Sequence, residues 1–570
     1  MGGKRRRGRG DTVRRRPQQD PSVASVRAER PATRTFGRPR RWAIGAATGL
    51  VTAGLAIGVA QLVASFVGEL SSPLVAVGEA AIDLAPPGLK DFAIQAFGAN
   101  DKTVLLIGIG VLLGIFAVAM GILATRRRWI GYAGLVGFGA IGVAAALTRP
   151  TRDTLSPVPS IVGIMVGAYA LRTLFRTWHA ASSPVGHAAA RSPVAPGRPA
   201  RQAGRTPTVA NDPLVLDRRR FLLTSLALGG AAVVTGLGAQ VAGGATSKAV
   251  ASRASLRIPK PSDVTTTVAG SGFSLPGLSS FYTPNATFYR VDTAIVAPKV
   301  TAQDWSLRIH GMVDREIVMS FAELLARPLI ERDVTLTCVS NPVGGPYIGN
   351  ARWIGAPIAP ILQEVGVHPA ATQLVSRSVD GFTVGTPVAA LLDGRDAMLA
   401  VAMNGEPLPI AHGFPVRMVI PGLYGYVSAT KWVVEFELTT FEAYDAYWVP
   451  RGWAQQAPIK TESRIDTPRR GATIRAGTVS VAGVAWAQHR GIDSVEVQVD
   501  DGPWRGAELA TQDSIDTWRL WRYEWNAAPG SHKLRVRATD RSGRVQTAEE
   551  APPPPNGATG WHTVDVTVTR

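Results

Sequence analysis

Cysteine is nearly absent: the 570 residues hold one, Cys338, so no disulfide can form within the chain. Histidine is also scarce, and none of the eight falls inside a long apolar run. That excludes a bis-histidine haem in the membrane part, and with it an electron wire of that kind. The runs also lack paired carboxylates, which argues against ion transport, since such pathways need ionisable groups at depth. The soluble half has no glycine fingerprint opening a strand–helix unit, which argues against a nicotinamide domain. Acidic residues are the minority, 42 against 61 Lys and Arg, for a net charge of +19.

The positive excess is concentrated. Residues 1–41 carry Lys4–Arg7, Arg14–Arg16 and Arg40-Arg41 among Pro, Gly, Gln and Ser, and read as a disordered cytoplasmic tail. The tail runs straight into an apolar segment. It is therefore read as an anchor beside anionic lipid, and no nucleic-acid partner is expected.

Four uncharged or nearly uncharged segments, Trp42–Val67, Thr103–Thr125, Trp129–Leu147 and Val158–Phe175, are long enough to cross a bilayer. The last holds Arg172 near its end, where the side chain can snorkel. A fifth, Phe221–Ala242, follows Asp217-Arg-Arg-Arg-Phe-Leu222, which resembles a twin-arginine export signal. The first loop is acidic, with Glu69, Glu79, Asp83, Asp91 and Asp101 against Lys90 and Lys102. The next loop is Arg126–Arg128, and the stretch after the fourth span carries Arg191, Arg198, Arg201 and Arg205. This alternation places the amino terminus in the cytoplasm, and five spans place the carboxy-terminal half outside. The expected organisation is tail 1–41, four transmembrane helices in 42–177, cytoplasmic linker 178–217, and signal-like motif with fifth helix in 218–245.

From Ala254 the texture becomes soluble α+β, over 254–455. Trp305–Val313 alternates as a strand, Ser320 caps a short helix at Phe321–Ala326 with Glu323 completing a capping box, and Gly355–Gly366 reads as a helix. Residues 461–570 read as all-β. Strands are expected at Val479–Trp486, Ile492–Val499, Trp518–Trp525, Lys533–Ala538 and Val564–Val568, with turns at Asp500–Gly502 and Asp540–Gly543, giving an immunoglobulin-like sandwich.

Cys338 ends a β-branched strand beginning at Asp333, and Asn341, Pro342, Gly344 and Gly345 then turn the chain. Those residues alone leave two readings open: a small buried hydrophobe, or a soft ligand for a metal whose other ligands are not protein.

Thr335-Leu-Thr-Cys-Val-Ser-Asn341 resembles the molybdenum-ligand loop of the sulfite oxidase family of molybdopterin enzymes. Asn404-Gly-Glu-Pro-Leu-Pro-Ile-Ala-His-Gly-Phe-Pro-Val-Arg-Met-Val-Ile-Pro-Gly422, continuing to Ser428-Ala-Thr-Lys-Trp432, is similar to its second signature. The resemblance covers about 275–570 and implies a molybdenum–molybdopterin cofactor with Cys338 as thiolate ligand and catalytic residue. It also implies cofactor contacts from His412, Arg417 and Lys431, from Ser428 or Thr430, from Tyr289 and Arg290 in a first binding segment, and from Asp380. Sulfite-oxidising members carry arginines just after the cysteine motif, where this chain has Val-Ser-Asn-Pro-Val. Arg451 is the candidate substitute, and Tyr444, Tyr447 and Trp453 are the candidates for the family's tyrosine near the metal.

The function implied is oxygen-atom transfer with a small-molecule substrate, sulfite or a sulfoxide, and a cytochrome or quinone-linked redox partner. The alternative is a catalytically silent binding or assembly module of the same fold on a membrane anchor. The family's carboxy-terminal domain often dimerises, so a homodimer is an open expectation.

Overall fold

The computed structural model describes residues 38–68, 71–86, 101–148, 154–180, 222–232, 234–235 and 244–570. Most of the tail, most of the linker and the twin-arginine motif lie outside these residues. Among the described residues, four helices are long and apolar enough to cross a membrane: Arg41–Val67, Lys102–Ala124, Arg128–Leu147 and Val158–Trp178. Of the fifth expected span, the described residues include the apolar helix Leu222–Ala232, and residues 221, 233 and 236–242 lie outside them.

Two further differences concern helix ends. The first helix begins at Arg38, inside the basic tail. The acidic loop after it contains a helix, Pro73–Leu84, with Pro at its first turn. Its Glu79 and Asp83 gave the segment the look of a loop, yet Val75, Ala76 and Gly78 form a buried face.

Small residues let the long helices touch. A Cβ on Gly49 would lie 2.0 Å from the Ala117 carbonyl oxygen, and one on Gly121 would lie 2.1 Å from that of Gly45. Gly45-x-x-x-Gly49 therefore meets Ala117-x-x-x-Gly121 backbone to backbone. Gly121→Leu should force these helices apart, at about 1–3 kcal/mol or more. The check is the thermal midpoint of the detergent-solubilised chain; a midpoint unchanged from wild type would refute the packing argument.

The helix Gly244–Ser255 docks on the α+β domain. Arg253 donates to the carbonyls of Pro407 and Leu408 and pairs with Glu406, and Ser252 Oγ accepts from Ala302 N. Two sheets follow. One runs Asp263–Val264, Ile330–Thr337, Ile348–Pro357, Met398–Met403, Arg417–Val419, with Glu406–Pro407 added on Met398–Met403. The other runs Ile317–Ser320, Ser306–Gly311, Val433–Thr439, Gln373–Ser378, Thr383–Pro387. Trp305, Trp353, Phe414 and Phe436 are fully enclosed in a core that continues through Trp486 and Trp518 into the next domain.

The expected capping box is present: Ser320 accepts from Glu323 N, and Glu323 accepts from Ser320 N, heading the helix Phe321–Leu325. The second helix is Ile358–Val365, ended by Gly366 at φ 67°; Gly355–Pro357, expected in it, finish a strand instead. Residues 462–569 form two facing sheets around Val481, Val495, Trp521, Val536 and Val566. The long strands are Gly477–Trp486, Ile492–Val499, Arg519–Ala527, Gly530–Asp540 and His562–Thr569, so the sandwich expected from the turns is there.

Candidate active site

Cys338 follows the strand Ile330–Thr337 directly. Its backbone is pinned by Cys338 N to Tyr347 O at 2.9 Å and Asn341 N to Cys338 O at 3.1 Å. The residue is 9 % exposed. Burial pushes the thiol pKa up, and hydrogen bonds from the Ser340 backbone and hydroxyl, with the charge of Lys431, work in the other direction. The loop is thus built to favour a thiolate once something offsets its burial, as a bound metal cation does. Asn341 anchors the loop by accepting from Tyr347 N at 2.8 Å, while its Nδ2 is buried with no partner.

The immunoglobulin-like domain forms the back wall. Gln488 donates to Thr335 O and Thr337 Oγ1, Trp518 N donates to Thr335 Oγ1, and Thr335 N donates to Asp516 O. Arg464 donates to Gly345 O at 2.9 Å. Gly344, at φ 74°, lies so close to His562 that a Cβ would meet its ring at 2.1 Å. Strand and loop around the thiol are therefore clamped by a second domain.

Cationic and polar residues gather in front. Arg417 is 5 % exposed, its guanidinium 5.1 Å from the Trp353 ring centre. Its hydrogen bonds go to backbone carbonyls, His412 O at 3.2 Å, Ala429 O at 3.4 Å and Met418 O at 3.4 Å. Among the described residues no carboxylate is in ion-pair contact with it, and burial lowers its pKa to about 10. A buried cation without an anion is costly unless a ligand brings one. Tyr289 lies close enough to feel both Cys338 and Arg417, and burial raises its pKa.

His412 is buried, with its pKa lowered to about 4 by burial and by Arg417 and Lys431. Nε2 lies 3.2 Å from Asn285 O, a carbonyl that can only accept. The neutral ring donates there, and Nδ1 is an acceptor. Lys431 Nζ pairs with Asp292 at 2.6 Å and lies 5.0 Å from the Trp432 ring centre. Burial lowers its pKa to about 8, against the pull of Asp292, so it remains protonated at neutral pH. Asp292 also holds Arg290 at 2.9 Å. Burial opposes its charge, but Lys431, Lys102 and Arg290 keep its pKa well below the usual range.

Three of the expected contacts have partners within the chain. Ser428 Oγ donates back to Leu423 O and Tyr424 O, closing its own loop. Thr430 Oγ1 is bonded to Ser376 Oγ at 2.6 Å. Asp380 accepts from Phe382 N at 3.2 Å in a tight turn. Arg451 stacks 3.7 Å from the Tyr447 ring centre, and both bind Asp83 of the helix Pro73–Leu84. Asp292, Ser340 and Asn285 are not singled out by the sequence, and Asn341 reads there only as a turn residue. Asp292 had one legible sign, an acid two residues after Arg290 in a segment already of interest. Another group of potential ligands, His310, Glu435 and Glu437, is satisfied differently: Glu435 bonds His310 at 2.7 Å and Arg377 at 3.1 Å.

A strand-end thiol beside a buried arginine that has no carboxylate partner suits a domain that binds an anionic cofactor. The family model described as oxidoreductase molybdopterin binding domain matches residues 294–448, and the one described as bacterial Ig domain matches 462–536. Human mitochondrial sulfite oxidase is 28% identical over 322 residues, 48% of this chain and 58% of that protein. An uncharacterised oxidoreductase of Bacillus subtilis, YuiH, is 33% identical over 149 residues, 26% of this chain and 72% of its own length. The sulfane dehydrogenase SoxCD of Paracoccus pantotrophus has 24% identity, covers 51% of this chain and 82% of its own, and gives a TM-score of 0.45. The chain thus spans 58% of the human sulfite oxidase it matches. The chain belongs to the sulfite oxidase-like family of molybdopterin-binding oxidoreductases.

The residues fit the molybdenum–molybdopterin cofactor that the family implies. Its phosphate is an anion of the kind that buried Arg417 lacks, and the orphaned Asn341 Nδ2 is a free donor in the thiol loop.

Proposed function

We infer that the chain is a membrane-anchored molybdenum-dependent oxidoreductase that transfers an oxygen atom to or from a small substrate, with Cys338 as the thiolate ligand. The observation that carries this reading is Arg417, buried and unneutralised beside Tyr289, which in turn senses Cys338. The cofactor supplies two-electron oxygen-atom exchange when bound. The chain's residues do the rest. Arg417 and Lys431 meet its negative charge, His412 offers Nδ1 as an acceptor, and Ser340 and the clamped strand fix the thiol. Tyr447 and Arg451 form a stacked pair bound to Asp83.

Sulfite and sulfoxide-type substrates differ in charge, and the arginines bear on this. Arg290 and Arg451 are each paired with a carboxylate, Asp292 and Asp83. Arg451, the candidate substitute for the sulfite-binding arginines, is paired with a carboxylate of its own, which favours the neutral, sulfoxide-type substrate over the sulfite anion. Electrons would pass to or from a cytochrome or quinone-linked partner.

The domain meets the helices at the end that carries Asp83 and Lys102, while Arg126–Arg128 joins the helices at their other end. With the positive-inside pattern, this supports a cytoplasmic amino terminus and an extracytoplasmic catalytic domain.

The test is the metal and pterin content of the full chain, purified from a cofactor-producing host. Stoichiometric molybdenum and pterin are expected. Well-folded protein with neither, from cells that load a control enzyme, would sink the reading in favour of a silent module.

A further inference from the structure

Asp292 is 5 % exposed at its side chain and is shared by three cations. Lys431 Nζ lies at 2.6 Å and Arg290 Nε at 2.9 Å from Oδ2, and Lys102 Nζ bonds Oδ1. Lys102 comes from elsewhere in the chain. It lies near the start of the long apolar helix Asp101–Ala124, and its ammonium also donates to Ala294 O at 2.6 Å. The approach of helices and domain is close here: a Cβ on Gly78 would lie 2.7 Å from Ile295 Cδ1. A second polar anchor stands apart from it, where Asp83 accepts from Tyr447 Oη at 2.6 Å and from Arg451 at 3.2 Å.

Three cations meet at one carboxylate, and Arg417, which has no carboxylate of its own, lies near enough to Lys431 to disfavour its charge. Lys102 and Lys431 occupy different oxygens of Asp292, so each fixes the carboxylate for the other. Burying surplus positive charge is unfavourable without an anion to meet it.

We propose that Lys102, delivered by a membrane helix, is a positioning residue of the cofactor site: it holds Asp292 from one side so that Lys431 is set on the other, facing the anionic cofactor. This rests on the molybdopterin reading of the site. By linkage, cofactor retention and docking of the helices on the domain are coupled, and each strengthens the other by the same factor.

The experiment uses the full chain in detergent, loaded with cofactor, and follows pterin retained per chain during prolonged dialysis. Lys102→Met should release pterin on the order of 10-fold faster than wild type, the scale for removing a partner just outside the ligands. Lys102→Arg, which keeps the charge, should restore retention. Asp83→Asn loosens the second anchor without touching Asp292 and should have the smaller effect. Wild-type retention in Lys102→Met would overturn the proposal. The wild-type chain supplies an independent reading should that variant not fold. Amide hydrogen exchange in 101–105 should be slower in loaded than in cofactor-free chain, and equal exchange would overturn the coupling. Wild type without pterin would instead refute the molybdopterin reading itself.

Discussion

Cys338→Ala is expected to reduce molybdenum-dependent turnover to background while the chain still folds. The thiol sits at a strand end whose backbone is held by Tyr347 O, by Gln488 and by Trp518 N, none of which depends on sulfur. Losing the buried side chain should cost about 1 kcal/mol of stability, in the range of ordinary core truncations. On the proposed reading the substitution would remove the protein's bond to the metal, which no neighbouring thiol could replace, since the chain has one cysteine. Two measurements separate these effects: the unfolding midpoint, which should move little, and turnover with both a sulfoxide and sulfite. The variant should retain part of its pterin, because Arg417, Lys431 and His412 are untouched. Turnover equal to wild type would eliminate the thiolate mechanism.

What could be read from the sequence had local causes. The Ser320 capping box needs residues three apart, and the sandwich strands announce themselves by alternation and by Asp-Gly or Ser-Gly turns. Cys338 was legible because a β-branched run stops at Asn341-Pro342. His412 and Arg417 were legible by resemblance, and they do lie together, Arg417 donating to the His412 carbonyl.

What could not be read is long-range. Asp292 acquires its role from Lys431 and Lys102, which lie 139 and 190 positions away in the chain. The back wall under Cys338 comes from Gln488 and Trp518, so the immunoglobulin-like domain supports the site, a role that nothing in its strand pattern announces. Ser428 and Thr430 were chosen for their hydroxyls. Their spacing does not reveal that one closes its own loop and the other bonds Ser376. The helix Pro73–Leu84 escaped because its charges masked a short apolar face.

Glu462 yields the other large effect, through pH. It lies on the strand Glu462–Thr467, opposite Trp486, 3 % exposed, with Oε1 lacking any partner. Burial raises its pKa from 4.5 to about 8, Lys460 opposing weakly. Its charge reaches Tyr424, which also feels Cys338, so the carboxyl sits behind the site. The folded chain keeps the proton to about pH 8 and the unfolded chain releases it near 4.5, so the folded state binds more protons in between. Stability is therefore lost as pH rises through that window. Two buried histidines, His412 and His562, have pKa values lowered from 6.5 to about 4 and act in the opposite sense below pH 6.5. Lys431, lowered from 10.5 to about 8, raises stability only above pH 8. Between pH 6.5 and 8 the glutamate is thus the main contributor among these four, worth about 2 kcal/mol at 1.36 kcal/mol per pH unit. Glu462→Gln should flatten the unfolding midpoint over this interval and raise it above wild type at pH 8. Parallel midpoint curves for the two proteins between pH 6.5 and 8 would show that Glu462 does not carry a buried proton.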